Sequence, residues 1–452
     1  MKKSFFICSN CGYKSSKWLG KCPECSSWNS FVEEETNLTS SVTSRGRSFS
    51  YTNEVAKPVG INTVTYETKD RLYTALPEFD RVLGGIVKGQ TILISGEPGI
   101  GKSTLLLSLA QSLAKHGKVI YINGEESNSQ VKIRADRIGV SSENIFLFSA
   151  NNLDYIMEHL VKEKASFIFL DSIQTVFITS YSSLPGNIVQ VRESAYQLIQ
   201  FCKQNNVVLI IVGHVTKSGS IAGPKVIEHM VDTVLYLEMD LRGYYRVLRS
   251  LKNRFYSNDE TGFFIMDEKG LLNIEDTSTA FISVHTGEVC GVSFFPSAEG
   301  SRIIPVEIQA LCSPTQFNYP KRAVDGFDFN RLYMLIAIME KILRINLSAH
   351  DVYVNVTSGL RISDPALDLA VVTAIYSSFK EANSPLDVGI CGEVGLTGEV
   401  RPILKVEKRI HELSRLGFKK IIIPYKEKRT ELKEDINILP VKNIIEAVKV
   451  LY

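Results

Sequence analysis

A glycine-rich loop with the spacing G-x-x-x-x-G-K-S carries the clearest chemistry in this sequence. Glycines at these positions let backbone N–H groups approach phosphates, the lysine neutralises the terminal phosphates, and the serine hydroxyl binds magnesium. The loop therefore predicts a site for ATP and Mg²⁺. Its residues are Gly96, Glu97, Pro98, Gly99, Ile100, Gly101, Lys102 and Ser103, followed by Thr104 at the start of a predicted helix.

Three more polar side chains, Asp171, Glu125 and His214, each come after a predicted buried strand. Because the carboxyl ends of parallel strands meet at one edge of a sheet, we expect all three beside the loop. Asp171 is expected to orient the magnesium ion, Glu125 to polarise the attacking water, and His214 to sense the γ-phosphate. Glu126 is an alternative to Glu125, and a solvated acidic turn or a structural histidine are the simpler interpretations.

Basic residues mark two further predicted functions. The segment from 242 to 254 has five basic residues and no acidic one. At its end, Lys252 and Arg254 are expected to reach an ATP bound by a neighbouring subunit. Lys217 and Lys225, in a small polar loop after His214, and Arg192, on a predicted helix, are expected to bind phosphates of a nucleic-acid strand. Ordinary solvated loops and strand ends are the alternatives.

Four cysteines form two Cys-x-x-Cys pairs, Cys8 with Cys11 and Cys22 with Cys25. This spacing predicts four thiolate ligands for a tetrahedral Zn²⁺ ion, with a redox dithiol as the lesser alternative. The only two tryptophans are expected to pack on this metal-centred core. The remaining four cysteines have apolar neighbours and are expected to be buried, inert thiols. The tryptophans are Trp18 and Trp28, and the cysteines are Cys202, Cys290, Cys312 and Cys391.

The elements that must position these residues follow an α/β pattern. Short apolar runs alternate with amphipathic segments, which is typical of βαβ units on a parallel sheet. At 452 residues, length suggests about three domains. We expect a zinc module over residues 1–33, a Ser/Thr-rich linker over 34–60, a P-loop ATPase over 61–275 and a further domain over 276–452. Strands are predicted at Thr91–Ser95, Lys118–Asn123, Phe167–Leu170, Val207–Gly213, Thr233–Glu238 and Tyr245–Leu251.

Composition excludes several classes of protein. A net charge of +2, with 44% hydrophobic and 22% charged residues, is ordinary for a folded protein and excludes a wholly disordered or collagen-like chain. The longest apolar run is far shorter than the roughly 20 residues of a membrane helix. We therefore expect a cytoplasmic protein with no membrane partner, in which any nucleic-acid binding depends on local basic patches.

The motifs together resemble the bacterial RadA (Sms) family of DNA-repair ATPases, which are RecA-like motors with a zinc knuckle in front and a Lon-protease-like domain behind. Besides the cysteines and the P-loop, the similarity is carried by Leu83–Gly85, Gly124–Ser127, Gly213–Lys217 and Lys252–Phe255. The family motif around Lys252 ends in glycine, where this chain has Tyr256. The resemblance implies a DNA-dependent ATPase that forms a hexameric ring, binds single-stranded and branched DNA, and extends heteroduplex by branch migration beside RecA.

The C-terminal third resembles the Lon protease domain, an α+β domain with a Ser-Lys dyad in active enzymes. The matching positions here are Ala366 and Glu407, so neither the nucleophile nor the base is present. We expect a ring-forming scaffold without proteolysis, whose basic residues Lys321, Arg322 and Arg331 are either solvated or contact DNA. The competing functions are a nucleotide-switched signalling ATPase of the circadian-clock type, an ATP-dependent protease and a passive zinc-dependent DNA-binding protein.

Overall fold

The fold is taken from a computed structural model of the 452-residue chain. It describes residues 3–8, 14–23, 28–36, 60–63, 71–214, 222–240, 243–274, 282–283, 285, 287–317, 319–357, 359, 361–425 and 435–452. The chain divides into two compact units. The first comprises Met1–Glu238, Leu248–Asn258 and Met266–Leu272, and the second comprises Met239–Val247, Asp259–Ile265 and Asn273–Tyr452.

A small antiparallel sheet opens the first unit. Its strands are β1 (Lys3–Cys8), β2 (Lys14–Ser15) and β3 (Phe31–Thr36), in the order β2-β1-β3. Cys8, Cys22 and Phe31 are buried together beside this sheet. The expectation that both tryptophans pack on this core is wrong, because Trp18 is 52% and Trp28 is 72% exposed. Among the described residues, the core consists of Cys8, Cys22 and Phe31, with Phe6 and Leu19 packed against them. Most of the predicted linker, residues 37–59, lies outside the described residues.

The elements of the ATPase region alternate as the βαβ pattern predicts. They are α1 (Pro77–Leu83), β4 (Thr91–Gly96), α2 (Lys102–Leu113), β5 (Val119–Asn123), α3 (Asn128–Arg137), β6 (Ile145–Ser149), α4 (Leu153–Glu163), β7 (Phe167–Asp171), α5 (Ile188–Gln204), β8 (Val208–His214), α6 (Ala222–Met230), β9 (Thr233–Met239), β10 (Tyr245–Asn253), β11 (Thr261–Asp267) and β12 (Gly270–Asn273). Short 3₁₀ turns lie at Ile61–Thr63 and Ile173–Thr175.

Strands β4 to β9 form the parallel part of a nine-stranded sheet with the order β12-β11-β10-β9-β4-β8-β7-β5-β6. Every residue of β4 and β5 is buried, as expected where helices cover both faces of a parallel sheet. All six predicted strands are confirmed to within a residue or two. Strand β6 was not predicted, although Ile145–Phe148 is a run of four apolar residues, and the structure shows it as a half-exposed edge strand.

Side chains fix where the helices of this region begin. Ser127 and Gln130 form a reciprocal capping box at the start of α3, and Asn152 and Asn187 accept backbone N–H bonds at the starts of α4 and α5. Such caps satisfy N–H groups that have no partner within the helix. The cap of α3 fixes the start of that helix directly after the loop that carries Glu125. The cap of α5 fixes the start of that helix after the loop that follows Asp171.

The second unit is α+β, as the resemblance to Lon implies. Helix α8 packs on β13 and β14, and the apolar face of the helix together with the apolar face of these strands forms most of the core. The sheet order is β15-β16-β14-β13-β17-β20-β21, with β18 and β19 as a separate hairpin. The elements are β13 (Val292–Glu299), β14 (Arg302–Pro314), β15 (Arg322–Asp325), α7 (Phe329–Leu343), β16 (His350–Val356), α8 (Asp368–Lys380), β17 (Val388–Ile390), β18 (Glu393–Val394), β19 (Val400–Arg401), α9 (Val406–Arg415), β20 (Lys420–Pro424), β21 (Asn437–Val441) and α10 (Ile444–Leu451), with 3₁₀ turns at Leu347–Ala349 and Pro365–Leu367.

The four single cysteines differ in exposure. Cys202 and Cys391 are buried as predicted, but Cys312 is only partly buried and Cys290 is exposed, so the prediction is wrong for Cys290. Burial raises the pKa of Cys312 to about 11, and burial raises the pKa of Cys202 further still. Both thiols are therefore protonated at neutral pH. Among the described helices, none is long and apolar enough to cross a membrane.

Candidate active site

The P-loop leaves the carboxyl end of β4 through glycines that no other residue could replace without strain. Gly96 has φ +155°, and a Cβ added there would lie 2.3 Å from the carbonyl oxygen of Leu237. Gly101 has φ +112° and caps the start of α2, where the N–H groups of the first helical turn point out of the helix. The loop thus presents a concave arc of backbone at a helix N-terminus, which is the geometry that binds phosphates.

Lys102 is folded back into this loop and is only 4% exposed. Its Nζ donates hydrogen bonds to the carbonyl oxygens of Gly96 at 2.9 Å and Glu97 at 2.8 Å. Burial lowers the pKa of Lys102 to about 8, although the negative charges of Asp171 and Glu125 act in the opposite direction. In the absence of nucleotide, therefore, part of the Lys102 population is neutral at mildly alkaline pH.

This shift predicts that ATP affinity depends on pH. Bound phosphates favour the charged amine and raise the pKa of Lys102 above about 8, so ATP binding takes up a proton at alkaline pH. The Kd of a non-hydrolysable ATP analogue should be constant below that pKa and rise above it, at up to about tenfold per pH unit. The Lys102→Arg variant should give a flat profile, because a guanidinium stays charged. An equally flat wild-type profile would contradict the prediction.

Two carboxylates lie at neighbouring strand ends beside the loop. Asp171 ends β7, pairs in register with Asn123 of β5, and accepts a hydrogen bond on Oδ2 from the Tyr121 hydroxyl at 2.8 Å. Glu125 follows β5 and accepts a hydrogen bond on Oε1 from the Ser172 hydroxyl at 2.6 Å. Both carboxylates thus have one fixed oxygen and face the amine of Lys102, whose pKa they raise. This is a compact arrangement of one cation and two anions.

Glu126 is oriented differently from Glu125. Its carboxylate forms an ion pair with Arg134, in the last turn of α3. His214 instead faces Glu125, with 3.5 Å between its Nε2 and Glu125 Oε1. Burial lowers the pKa of His214, Lys102 lowers it further, and Glu125 and Asp171 oppose that shift. A neutral His214 therefore sits between Glu125 and the start of the segment after β8.

Three residues of this site were missed from the sequence. Tyr121 orients Asp171, Ser172 orients Glu125, and Gln174 donates through Nε2 to the carbonyl oxygen of His214 at 3.4 Å. Ser172 and Gln174 follow Asp171 so closely that the strand-end position could have suggested them. Tyr121 lies within a buried strand and carries no comparable signal.

Lys252 and Arg254 lie at the opposite edge of the parallel sheet. The Arg254 backbone N–H donates to the carbonyl oxygen of Asp232, the residue before β9, and Asp232 in turn contacts Thr91 at the amino end of β4. Six strand residues, Thr91–Gly96, separate this end from the P-loop, which is a distance of about 17 Å at the usual rise. These cations are therefore too far away to contact the P-loop of their own chain.

Tyr256 stands where the related motif has glycine, and its backbone is not among the described residues with positive φ. Its ring lies directly over Gly84 of α1's C-terminal turn, where an added Cβ would be 2.2 Å from the ring. Arg71 joins the two segments, donating to the carbonyl oxygen of Gly84 at 2.6 Å and to that of Phe255 at 2.7 Å. The turn after Arg254 is thus held by packing on Gly84.

Of the three predicted DNA-binding side chains, only that of Arg192 lies within the described residues. Arg192 lies on α5 and forms an ion pair with Glu193, its Nη2 at 2.7 Å from Glu193 Oε1, while remaining partly exposed. Lys217 and the side chain of Lys225 lie outside the described part of the chain. The structure therefore locates only Arg192, on the helix that follows the loop after β7.

The structure describes two of the four predicted metal-binding cysteines. Cys8 and Cys22 come from different Cys-x-x-Cys pairs and are both fully buried in one small core, which brings the two pairs together as a shared metal site requires. The Cys8 Sγ lies 3.2 Å from Ser30 Oγ. Cys11 and Cys25 lie outside the described residues. Thiolates in this number and spacing fit a zinc ion.

Ala366 and Glu407, the positions that the sequence matches to the Lon-type dyad, have neither a hydroxyl nor an amine. Ala366 is buried and has no nucleophile, and Glu407 is exposed on α9. Arg409, two residues further along α9, is buried and donates hydrogen bonds to the Asp364 carboxylate and to the carbonyl oxygen of Leu404. Arg331 donates from Nε to Asp368 Oδ1 at 3.0 Å. Arg331 therefore helps to hold the domain together, rather than standing free as a surface cation.

Comparisons with known proteins agree with this layout. Residues 63–220 match the AAA domain family, residues 6–33 match the rubredoxin metal binding domain family, and residues 337–452 match the Lon protease (S16) C-terminal proteolytic domain family. The chain is 44% identical over 452 residues to the DNA repair protein RadA of Bacillus subtilis (strain 168), covering 99% of this chain and 98% of that protein. The chain belongs to the RadA family of DNA repair proteins.

A second member of the family, the DNA repair protein RadA of Aquifex aeolicus (strain VF5), is also 44% identical, over 100% of this chain and 99% of that protein. Among solved structures, the KaiC-like protein PH0186 from Pyrococcus horikoshii OT3 is similar over 45% of this chain and 98% of that chain, with 20% identity and a TM-score of 0.39. The family matches and the full-length relatives confirm the predicted family and the predicted order of metal-binding module, ATPase domain and Lon-like domain.

Proposed function

We propose that this protein is a DNA-dependent ATPase that assembles into a hexameric ring and drives branch migration of recombination intermediates. The observation that supports it best is the grouping of Lys102, Glu125, Asp171 and His214 at one edge of a parallel sheet, in a chain related over its full length to DNA repair proteins. A cation, two carboxylates and a histidine in this arrangement suit hydrolysis of a phosphoanhydride.

Each side chain has a separate task in this proposal. Lys102 leaves the carbonyl oxygens of Gly96 and Glu97 and neutralises the β- and γ-phosphates of ATP. Ser103 and Asp171 would hold Mg²⁺, which offsets charge on the phosphates. Glu125, fixed by Ser172, orients the attacking water, and the γ-phosphate changes the contact between Glu125 and His214. The change in this contact moves His214 and with it the adjoining segment, where Lys217 and Lys225 bind DNA phosphates together with Arg192.

Lys252 and Arg254 complete the site in the neighbouring subunit. Their place at the amino edge of the sheet separates them from their own P-loop, whereas head-to-tail packing of identical chains would bring this edge to the next P-loop. Arg254 then stabilises the transferring γ-phosphate, so hydrolysis requires the assembled ring. A head-to-tail interface of this kind gives a closed ring when the rotation between successive subunits adds up to a full turn. The C-terminal unit is proposed to support that closure.

The DNA substrate is proposed to be single-stranded and branched, with RecA as a working partner. The family name of the relatives supports a role in repair, and a motor that couples ATP turnover to DNA contacts can move a branch point. A nucleotide-switched signalling ATPase would share the P-loop but leaves the metal-binding module and Lon-like domain without a purpose. An ATP-dependent protease has no support from Ala366 and Glu407.

ATP turnover measured without DNA, with a single-stranded oligonucleotide and with a four-way junction tests this function. We expect DNA to stimulate turnover and the wild-type protein to extend a RecA-formed heteroduplex only when ATP is hydrolysed. The Lys102→Ala variant should abolish both activities, because no other cation replaces its charge in the loop. DNA-independent turnover, with no effect on the heteroduplex, would instead favour the signalling ATPase.

The metal module is proposed to bind one Zn²⁺ per chain through Cys8, Cys11, Cys22 and Cys25. Replacing the second pair, as Cys22→Ser with Cys25→Ser, should remove zinc from the purified protein, since two thiolates bind it far more weakly than four. Thermal unfolding of the ATPase core should stay unchanged if residues 34–60 act as a linker. Elemental analysis and calorimetry measure both quantities, and a large loss of core stability would contradict a tethered module.

A further inference from the structure

One buried carboxylate, Asp232, holds two cations at the amino edge of the ATPase sheet. Its Oδ1 accepts hydrogen bonds from Lys203 Nζ at 3.0 Å and from Arg254 Nη1 at 3.3 Å. Its Oδ2 accepts from the Thr91 backbone N–H at 3.1 Å and hydroxyl at 2.8 Å. The Asp232 side chain is 4% exposed, whereas that of Arg254 is 54% exposed. One face of the guanidinium is therefore in solvent while the other is held by the carboxylate.

The two cations compete for the same oxygen. Burial alone would raise the pKa of Asp232, but hydrogen bonds from Lys203 and Thr91 more than offset this and lower it, so the carboxylate is charged. A buried carboxylate is costly to leave without a cation. Because Lys203 stays on Oδ1, Arg254 can leave without stranding that charge. Without Lys203, Arg254 would be the cation that Asp232 retains.

Lys252 contrasts with Arg254. Its Nζ donates to the carbonyl oxygens of Glu228 at 2.7 Å, His229 at 3.3 Å and Val231 at 2.8 Å, at the C-terminus of α6. Several acceptors thus fix Lys252 in place. Within the described part of the chain, the Arg254 side chain has one ion pair, at 3.3 Å to Asp232, to exchange. Of the two cations at this strand end, Arg254 is the one free to move toward a new anion.

We propose that Lys203 is a positioning residue that releases Arg254 from Asp232 when a neighbouring subunit presents the γ-phosphate of ATP. This inference rests on the composite site proposed above. The Asp232 carboxylate holds Arg254 at rest, and Lys203 takes over the whole of Oδ1 as Arg254 departs. The pair Asp232–Lys203 therefore sets how readily the ring engages its arginine, without either residue touching ATP.

A mixture of two inactive chains isolates this effect. A Lys102→Ala chain has no working P-loop but donates Arg254, and an Arg254→Gln chain offers a working P-loop, with an amide that can still donate to Asp232. Mixed with ATP and a single-stranded oligonucleotide, the two should recover turnover at interfaces that pair the intact halves. Lys203→Met is then placed on the Lys102→Ala chain, where Arg254 remains as a cation for Asp232, and Lys203→Arg on either chain serves as the conservative variant.

We expect Lys203→Met to reduce the recovered turnover by roughly threefold to tenfold when the Lys102→Ala chain carries it, because removing a partner of a buried ion pair makes the remaining pair harder to break. Lys203→Arg, which keeps a cation beside Asp232, should preserve turnover on either chain. An equal loss with Lys203→Arg, or no loss with Lys203→Met, would overturn the role of Lys203. No recovery in the mixture without Lys203→Met would overturn the composite site itself, and this inference with it.

Discussion

A Glu125→Gln chain should bind ATP with wild-type affinity and hydrolyse it about 10² to 10⁴ times more slowly, the range expected for removal of a general base. The amide cannot accept a proton from water, but it has nearly the same shape and can still accept the Ser172 hydroxyl bond that now fixes Glu125 Oε1. Lys102 and Asp171 remain in place to hold the nucleotide. ATP binding by fluorescence and single-turnover hydrolysis separate the two effects, and the variant should also stay bound to DNA when ATP is present.

The neighbouring glutamate gives a matched control. Glu126→Gln makes the same chemical change one residue along the chain, on a side chain that pairs with Arg134 instead of facing the site. It should keep hydrolysis within about threefold of wild type, since a part-exposed ion pair contributes little. If Glu126→Gln abolished hydrolysis and Glu125→Gln did not, the two carboxylates would have to exchange roles. Loss of ATP binding in Glu125→Gln would point to a structural role for that residue.

The strands and their functional ends could be predicted because burial leaves a strong signal. Continuous apolar runs such as the one before Asp171 occur where a parallel strand is covered on both faces, and the topology then places the residue after the run at a known edge. Strand β6 begins with an equally apolar run, Ile145–Phe148, which was overlooked, and its residues are half-exposed because β6 lies at the edge of the sheet. The side chains that orient the site were hard to predict, because Tyr121 looks like any other buried aromatic residue until its hydroxyl is seen beside Asp171.

Tryptophans 18 and 28 show where residue type alone misleads. A large aromatic beside a cysteine pair suggests a core residue, but a module whose core is centred on Cys8, Cys22 and Phe31 leaves little apolar volume to cover another ring. Tyr256 shows the reverse. It stands where the related motif has glycine, and the absence of a side chain at Gly84 provides the space into which its ring fits. A packing contact between residues so far apart in the chain cannot be read from one sequence.

An Arg254→Ala chain should bind ATP normally yet hydrolyse it about 10³ to 10⁵ times more slowly than wild type in the presence of DNA, the range known for loss of an arginine that reaches a neighbour's phosphates. The binding should persist because the P-loop of the same chain lies at the other edge of the sheet, roughly 17 Å away along β4. Arg249→Ala is the matched control. Arg249 lies on the same strand and pairs with Glu238, its Nε at 2.6 Å from Glu238 Oε1, and its loss should change turnover by less than about threefold.

The competing interpretation is that Arg254 contacts DNA phosphates directly. Each lost phosphate contact reduces the salt dependence of DNA binding by about one unit of slope, so Arg254→Ala would then weaken DNA binding at moderate salt and flatten that slope. A composite ATP site predicts an unchanged slope, because Arg254 faces a nucleotide and not the DNA backbone. Mixing Arg254→Ala with Lys102→Ala decides between them, since recovered turnover requires an intact P-loop of one chain to meet an intact Arg254 of another. Slow hydrolysis with no recovery and a flatter salt slope would assign Arg254 to DNA.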